Sequence, residues 1–241
     1  MDYDLAAENI RASYRDVTPK YRKDDEIEVT TENHLHLSRI LSEISGSFAA
    51  PISVLDAGCG TGRYFHCIQN VTRLVGLDVS PDMLKAAENP VLQSEIKASE
   101  IELVCGNVFK ASFRRNEFDF IYSIGMFGHG CPVTLEILNC FYDWLKPGGR
   151  LFFNVMDLAT LPAAARIRKS VRRAIYFALP GALKRKLDER QRWLPFFATT
   201  RRDLQRTLQQ SRFCHAAISS HTCASPLWRG MQLECSATKV G

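Results

Sequence analysis

The run Val54-Leu55-Asp56-Ala57-Gly58-Cys59-Gly60-Thr61-Gly62 closes an apolar segment with three glycines at alternate positions. Glycine lets a backbone turn sharply and approach a ligand closely, and the amide N–H groups of such a turn can be aimed at that ligand. The dinucleotide fingerprint needs a glycine three places after its second. Arg63 stands there, and Gly62 comes one place earlier, which disfavours a pyrophosphate ligand. Asp78, 16 positions after Gly62, ends the next apolar segment. A carboxylate so placed can accept both hydroxyls of a ribose. A nucleoside without a pyrophosphate fits both observations. Plainer roles stand beside these. The glycines could form only a tight strand-to-helix turn, Asp56 could bond local amides instead of ligand, and Cys59 reads as a small loop filler. Arg63 and Tyr64 could be ordinary first-turn residues, with Tyr64 alternatively facing the site.

His129 lies in Ser123-Ile124-Gly125-Met126-Phe127-Gly128-His129-Gly130-Cys131-Pro132, a glycine-rich stretch after a further apolar segment. An imidazole with an ordinary pKa of about 6.5 could take a proton from a substrate hydroxyl or amine, or could merely orient its loop.

Such residues must be carried on strands and helices. From Ile52 to about Leu158 short apolar runs (Ile52–Asp56, Arg73–Asp78, Ile101–Cys105, Phe118–Ile124, Arg150–Val155) alternate with helical stretches after Gly62, from Pro81, and across Thr134–Leu145. That alternation predicts an α/β fold with a doubly wound parallel sheet, and open sheets of this kind bind ligands beyond the strands' carboxyl ends. Ser80-Pro81-Asp82 reads as a helix start, and Lys146-Pro147-Gly148-Gly149 as a helix end turning into a strand. Leu35, Leu37, Ile40, Leu41 and Ile44 recur at helical spacing behind Thr30 and Thr31. The organisation expected is an N-terminal helical cap (1–50), a binding core (51–157), a basic helical lid insertion (158–198), and a closing helix and hairpin (199–241). In the last part, Thr200 starts a helix and the strands are Phe213–Ser219 and Met231–Thr238, with Pro226 in the loop between them.

These residues resemble the class I S-adenosylmethionine-dependent methyltransferases over about residues 52–157, and more loosely after 199. The resemblance implies a Rossmann-like sheet of seven strands, the last antiparallel, and S-adenosylmethionine as cofactor with S-adenosylhomocysteine as product. Asp56, Gly58, Cys59, Gly60 and Gly62 would belong to the loop holding the methionine part. Asp78 would take the ribose, with Val79 and Met83 flanking the adenine. Gly106, Asn107 and Val108 sit where the family has Gly-Asp near the adenine amino group, and the Asn107 side-chain carbonyl could still accept that N–H. Ser123, Ile124 and Gly125 would face the methionine end, and Leu145–Phe153 matches the family's turn into its fifth strand.

The chain has 241 residues, 46% hydrophobic and 24% charged, ordinary for a globular protein. Eight cysteines with no Cys-x-x-Cys pair and no zinc-finger spacing predict reduced thiols, no structural zinc and no metal at the site. With no secretory pattern at the start and no spanning apolar run, the expected location is cytoplasmic. The net charge of +5 is unevenly placed: residues 162–192 carry ten Lys/Arg against two acids, while the remainder has 21 bases against 24 acids. There Ile167, Val171, Ala174, Ile175 and Ala178 share one helical face. The segment could be a lid over substrate, a peripheral surface for anionic lipid, or a dock for an acidic partner. The expected activity is methyl transfer to oxygen or nitrogen of a small, partly apolar acceptor, by a monomer or homodimer. The alternatives are a lipid or an anionic, carrier-bound substrate, and a non-catalytic cofactor-binding partner subunit. Methylation of arsenic would call for a multi-cysteine pattern that is not evident. No RNA-binding module or Asn-Pro-Pro-Tyr-type amine site follows the fourth strand, so nucleic acid is not expected as acceptor.

Overall fold

A computed structural model describes residues 3–15, 17–128, 131–161, 167, 171, 174–175, 178–180, 183, 197–213, 215–224 and 229–240. Ile52–Ala57 (β1) and Val71–Asp78 (β2) are near-continuous apolar runs, as strands covered on both faces must be. With Glu100–Cys105 (β3), Phe118–Ser123 (β4) and Leu145–Met156 (β5) they form a parallel array. His215–Ala224 (β6) and Arg229–Thr238 (β7) complete a seven-stranded sheet in the order β3-β2-β1-β4-β5-β7-β6, in which β7 runs antiparallel to both neighbours. This is the Rossmann-like sheet of seven strands expected from the sequence. The direction of winding reverses between β1 and β4, so their carboxyl ends flank the crevice where such sheets take ligands.

Helices cover both faces. Tyr3–Arg15 (α1), Thr18–Glu28 (α2) and Glu32–Gly46 (α3) precede the sheet; Pro81–Ala87 (α4), Leu135–Trp144 (α5) and Arg201–Gln210 (α6) follow its strands. One apolar cluster lies beneath α5 and α6, around Phe141, Leu204 and Phe153, and another beneath α3 and α4, around Leu37, Leu41 and Phe120. Thr31, Ser80, Thr134 and Thr200 each accept a backbone N–H three residues on, capping α3, α4, α5 and α6.

The structure differs from the sequence reading in three places. No α-helix follows Gly62: the chain makes turns and one 3₁₀ turn, Phe65–Cys67. Side chains of α3 capture this backbone, since Ser42 Oγ donates to the Cys67 carbonyl (2.7 Å) and the Gln69 N–H donates to Ser45 Oγ (2.8 Å). Lys146-Pro147-Gly148-Gly149 is not a free turn but part of β5. The Gly148 N–H donates to the Lys239 carbonyl, the Lys239 N–H donates to Gly149, and Lys239 Nζ donates to the Leu145 carbonyl (2.7 Å). The closing strands run longer than their apolar pattern, because pairing carries β6 to Ala224 and β7 back to Arg229. Pro226 and most of 162–196 lie outside the described residues.

Gly76 permits β2 to pass under the glycine loop. A Cβ there would stand 2.9 Å from Cys59 Sγ and 3.0 Å from the buried Phe65 ring. Gly76→Ala is expected to destabilise the fold by ~1–3 kcal/mol through overpacking. The check is a lower urea midpoint at unchanged slope; an unmoved midpoint would show that the neighbours give way freely.

Candidate cofactor cleft

The loop after β1 turns back on β2: the N–H groups of Gly58 and Cys59 both donate to the Leu77 carbonyl, at 2.7 and 3.1 Å. Gly58 has φ of +83°, and any Cβ on it would collide with Met126 at 2.7 Å. The Gly60 N–H donates to Asp78 Oδ2 at 2.9 Å, and the Ser80 N–H donates to Asp78 Oδ1 at 2.8 Å. The three amides that might have cradled a phosphate are therefore spent inside the protein. Each Asp78 oxygen is left with a further lone pair for hydroxyl donors, as a sugar without a pyrophosphate would require.

These groups open on a cleft of about 1120 Å³, its mouth included. Of the residues singled out above, Asp56, Gly58, Cys59, Gly60, Asp78, Val79, Met83, Gly106, Asn107, Val108, Ile124 and Gly125 line it. Two do not. Gly62 (φ +75°) faces the Phe65 ring, and Ser123, fully buried, donates from Oγ to the Ala57 carbonyl (2.7 Å), tying β4 to β1. Asn107 Oδ1 accepts the Phe109 N–H at 3.1 Å, so the side chain expected to meet a base also organises its own turn. The Gly125 N–H donates to Asn154 Oδ1 (2.9 Å), which fixes the loop after β4. His129 lies outside the described residues.

Sequence reasoning missed one wall. Ala7, Ile10 and Tyr14 of α1 and Tyr21 and Asp25 of α2 close the cleft opposite the glycine loop, and Arg63 and Tyr64 face it from below. Arg11 Nε donates to the Val79 carbonyl (2.8 Å), pinning α1 beside the Asp78 loop. Asp25, 1% exposed, accepts from Thr61 Oγ1 and lies 3.5 Å from Arg63 Nε. The periodicity of Leu35 to Ile44, in α3, marked a helical layer but not which residues of α1 and α2 point inward. A smaller pocket adjoins across Arg63, Tyr64, Ile124 and Gly125, and Asn33, Phe127 and Asn154 also line it.

Burial pushes the Asp56 carboxyl up to about 8; the Tyr122 hydroxyl opposes this and the Asp78 charge adds to it. Asp78 is raised by burial, against the pull of the Ser80 and Gly60 amides, and Asp25 by burial, against Arg63. The cleft thus holds carboxylates short of solvation beside an arginine, a setting that suits a ligand bearing both an ammonium and a carboxylate.

Residues 54–149 match the methyltransferase domain family. Over that stretch the chain is similar to a methyltransferase domain. It is 31% identical over 148 residues to the demethylmenaquinone methyltransferase of Lactiplantibacillus plantarum, a match covering 59% of this chain and 60% of that one. The chain therefore spans less than two thirds of that relative. Among solved structures it is similar to the Burkholderia thailandensis 1,6-didemethyltoxoflavin-N1-methyltransferase, crystallised with its acceptor and S-adenosylhomocysteine. The TM-score is 0.62 at 18% identity, over 98% of this chain and 89% of that one. It is also similar to Haemonchus contortus phosphoethanolamine N-methyltransferase 2, crystallised with S-adenosyl-L-methionine, with a TM-score of 0.56 at 15% identity over 86% of this chain and 53% of that one. No helix among the described residues is long and apolar enough to cross a membrane.

The Asp56 carboxyl gives the cleft a pH signature. An unfolded aspartate loses its proton near about 4, whereas the native one holds it to about 8. The native state carries the extra proton between those values, so this contribution is whole below about pH 4 and is lost as pH rises toward 8. In ligand-free protein the urea midpoint is expected to fall from pH 5 to 8. Asp56→Asn should fall less steeply, Asp78 supplying the remainder; equal slopes would refute the assignment.

Proposed function

We propose that this protein transfers a methyl group from S-adenosylmethionine to oxygen or nitrogen of a small, partly apolar acceptor. The observation that carries the reading is Asp78: each of its oxygens is anchored by one backbone amide, at the carboxyl edge of the sheet, facing the cleft. The residues fit such a cofactor. Asp78 would accept the ribose hydroxyls, Val79, Met83 and Val108 would flank the base, and Arg63 and the Asp56 carboxyl, ionised once an ammonium lies beside it, would face the two ends of an amino acid. Bound there, the cofactor would supply an electrophilic methyl carbon on a sulfonium. What the chain must then do is orient an acceptor lone pair and exclude water, which together can be worth ~7–11 kcal/mol without a covalent nucleophile. Ile124, Gly125, Met126 and Cys131 form the side of the cleft where an acceptor would lie, and their apolar character supports a partly apolar molecule. His129, next to this wall in the chain, is proposed as the group that takes the acceptor proton.

Isothermal calorimetry with S-adenosylmethionine and S-adenosylhomocysteine tests the reading. Both should bind, and Asp78→Asn should weaken them ~10–100-fold by removing a charged hydrogen-bond acceptor. A wild-type protein indifferent to both at millimolar concentration would overturn it. Turnover to S-adenosylhomocysteine with an acceptor panel would distinguish an enzyme from a cofactor-binding partner subunit.

A second reading concerns 162–192. Ile167, Val171 and Ile175 are helical and 65%, 51% and 41% exposed, and none of the three lines the cleft. Joined to the segment's ten bases, that exposure supports a peripheral surface for anionic lipid. Vesicles containing anionic lipid should co-sediment the protein at low salt and release it as salt rises; wild-type protein staying in the supernatant removes this reading.

A further inference from the structure

Behind the wall of the cleft, three donor atoms from distant parts of the chain converge. His34 projects from the first turn of α3; His66 and Cys67 lie on the 3₁₀ turn that replaces the expected helix. The two Nε2 atoms stand 3.3 Å apart, Cys67 Sγ is 3.4 Å from His66 Nε2, and it is 4.0 Å from His34 Nε2. His34 and Cys67 are each 1% exposed. None of the three lines the cleft described above.

Zinc binds imidazole nitrogen at ~2.0–2.1 Å and thiolate sulfur at ~2.3 Å, so tetrahedral ligands would stand ~3.3 Å apart between two nitrogens and ~3.6 Å between nitrogen and sulfur. The nitrogen–nitrogen distance and the His66–Cys67 distance lie close to those values, and the His34–Cys67 distance of 4.0 Å is somewhat longer. The separation of the two rings agrees as well. The imidazole centroids are 5.3 Å apart with planes inclined by 21°. Two rings aiming their Nε2 lone pairs at one ion at a tetrahedral angle would have centroids ~5 Å apart. The charge environment is balanced: Arg63 acts on His34, but Asp25 and Glu28 face that guanidinium, and Glu95 acts on His66 and Cys67.

We propose that His34, His66 and Cys67 bind a zinc-class divalent ion through two Nε2 atoms and the Cys67 thiolate, clamping α3 to the segment that follows the glycine loop. The thiol proton leaves to solvent as the Zn–S bond forms, so affinity rises with pH. Tyr64 connects this clamp to the cleft. Its ring stacks on His34 at 5.0 Å and 17°, and it lines the cleft wall. An ion here would stiffen that wall without touching the cofactor, so the proposal stands or falls independently of methyl transfer.

The test uses the whole protein, stripped with a chelator and titrated with Zn²⁺ in competition with a chromophoric chelator. Uptake of about one ion per chain is expected, with Cys67→Ser and His66→Gln each weakening it at least ~10-fold. Cys140→Ser, on the half-buried face of α5, should leave it unchanged. X-ray absorption of the zinc-loaded wild-type protein keeps the question open to refutation if a variant does not fold. A first shell with one sulfur and two imidazoles supports the site, and a shell of oxygen and nitrogen alone overturns it. Wild-type protein that takes up no zinc, or folded Cys67→Ser and His66→Gln variants that bind it undiminished, would also overturn it.

Discussion

One carboxylate holds the binding edge together. Asp78 ends β2, and by accepting from Gly60 on one oxygen and Ser80 on the other it joins the loop after β1 to the cap of α4. Other bonds fix each loop by itself, Gly58 and Cys59 to the Leu77 carbonyl and Met83 to Ser80 Oγ, whereas Asp78 spans the two. A buried carboxylate is costly unless its lone pairs are engaged. Backbone amides engage some of them, and the raised pKa of Asp78 records what burial still costs. A ligand that donates hydroxyls to the remaining lone pairs would lower that cost, so stability and recognition rest on the same group.

The opposite wall works differently. α1 and α2 close the cleft with Tyr14, Tyr21 and Asp25, and the bonds that dock them are few and polar: Arg11 to the Val79 carbonyl, Thr61 to Asp25, and Asp25 to Arg63. A buried ion pair is weak support for stability, because desolvation consumes much of the Coulombic gain. Segments held this way open at lower free energy than the sheet they cover. The division suits a site that must grip one ligand firmly while admitting another.

Much of this architecture was legible in the sequence because it rests on local rules. The parallel strands appear as unbroken apolar runs, since both faces are covered. The helix starts at Ser80, Thr134 and Thr200 appear as hydroxyls, since a cap needs an oxygen within three residues. The spacing of Gly58, Gly60 and Gly62 with Asp78 marked the cleft, and twelve of the residues singled out line it. What sequence did not reveal depends on contacts between distant segments. The helix expected after Gly62 is lost to hydrogen bonds from Ser42 and to Ser45, more than twenty positions away. Ser123 reads as a cleft residue from its place at the end of β4 yet turns its hydroxyl onto Ala57. The convergence of His34 with His66 and Cys67 leaves no trace in spacing, because 32 residues of helix, strand and loop separate them.

The same distinction decides where acceptor specificity is written. The family match covers residues 54–149, and inside it lie Asp56, Gly60, Asp78 and Asn107, the half of the cleft assigned to the cofactor. Ala7, Ile10, Tyr14, Tyr21 and Asp25 lie before it, and the basic segment 162–192 after it. Methyl transfer asks the protein for orientation more than for reactive side chains. A shared core can therefore serve many acceptors while flanking segments choose among them, much as one scaffold hosts different functions through its grafted sites. Under the proposed function, the wall built by α1 and α2 is where the acceptor of this chain would be selected.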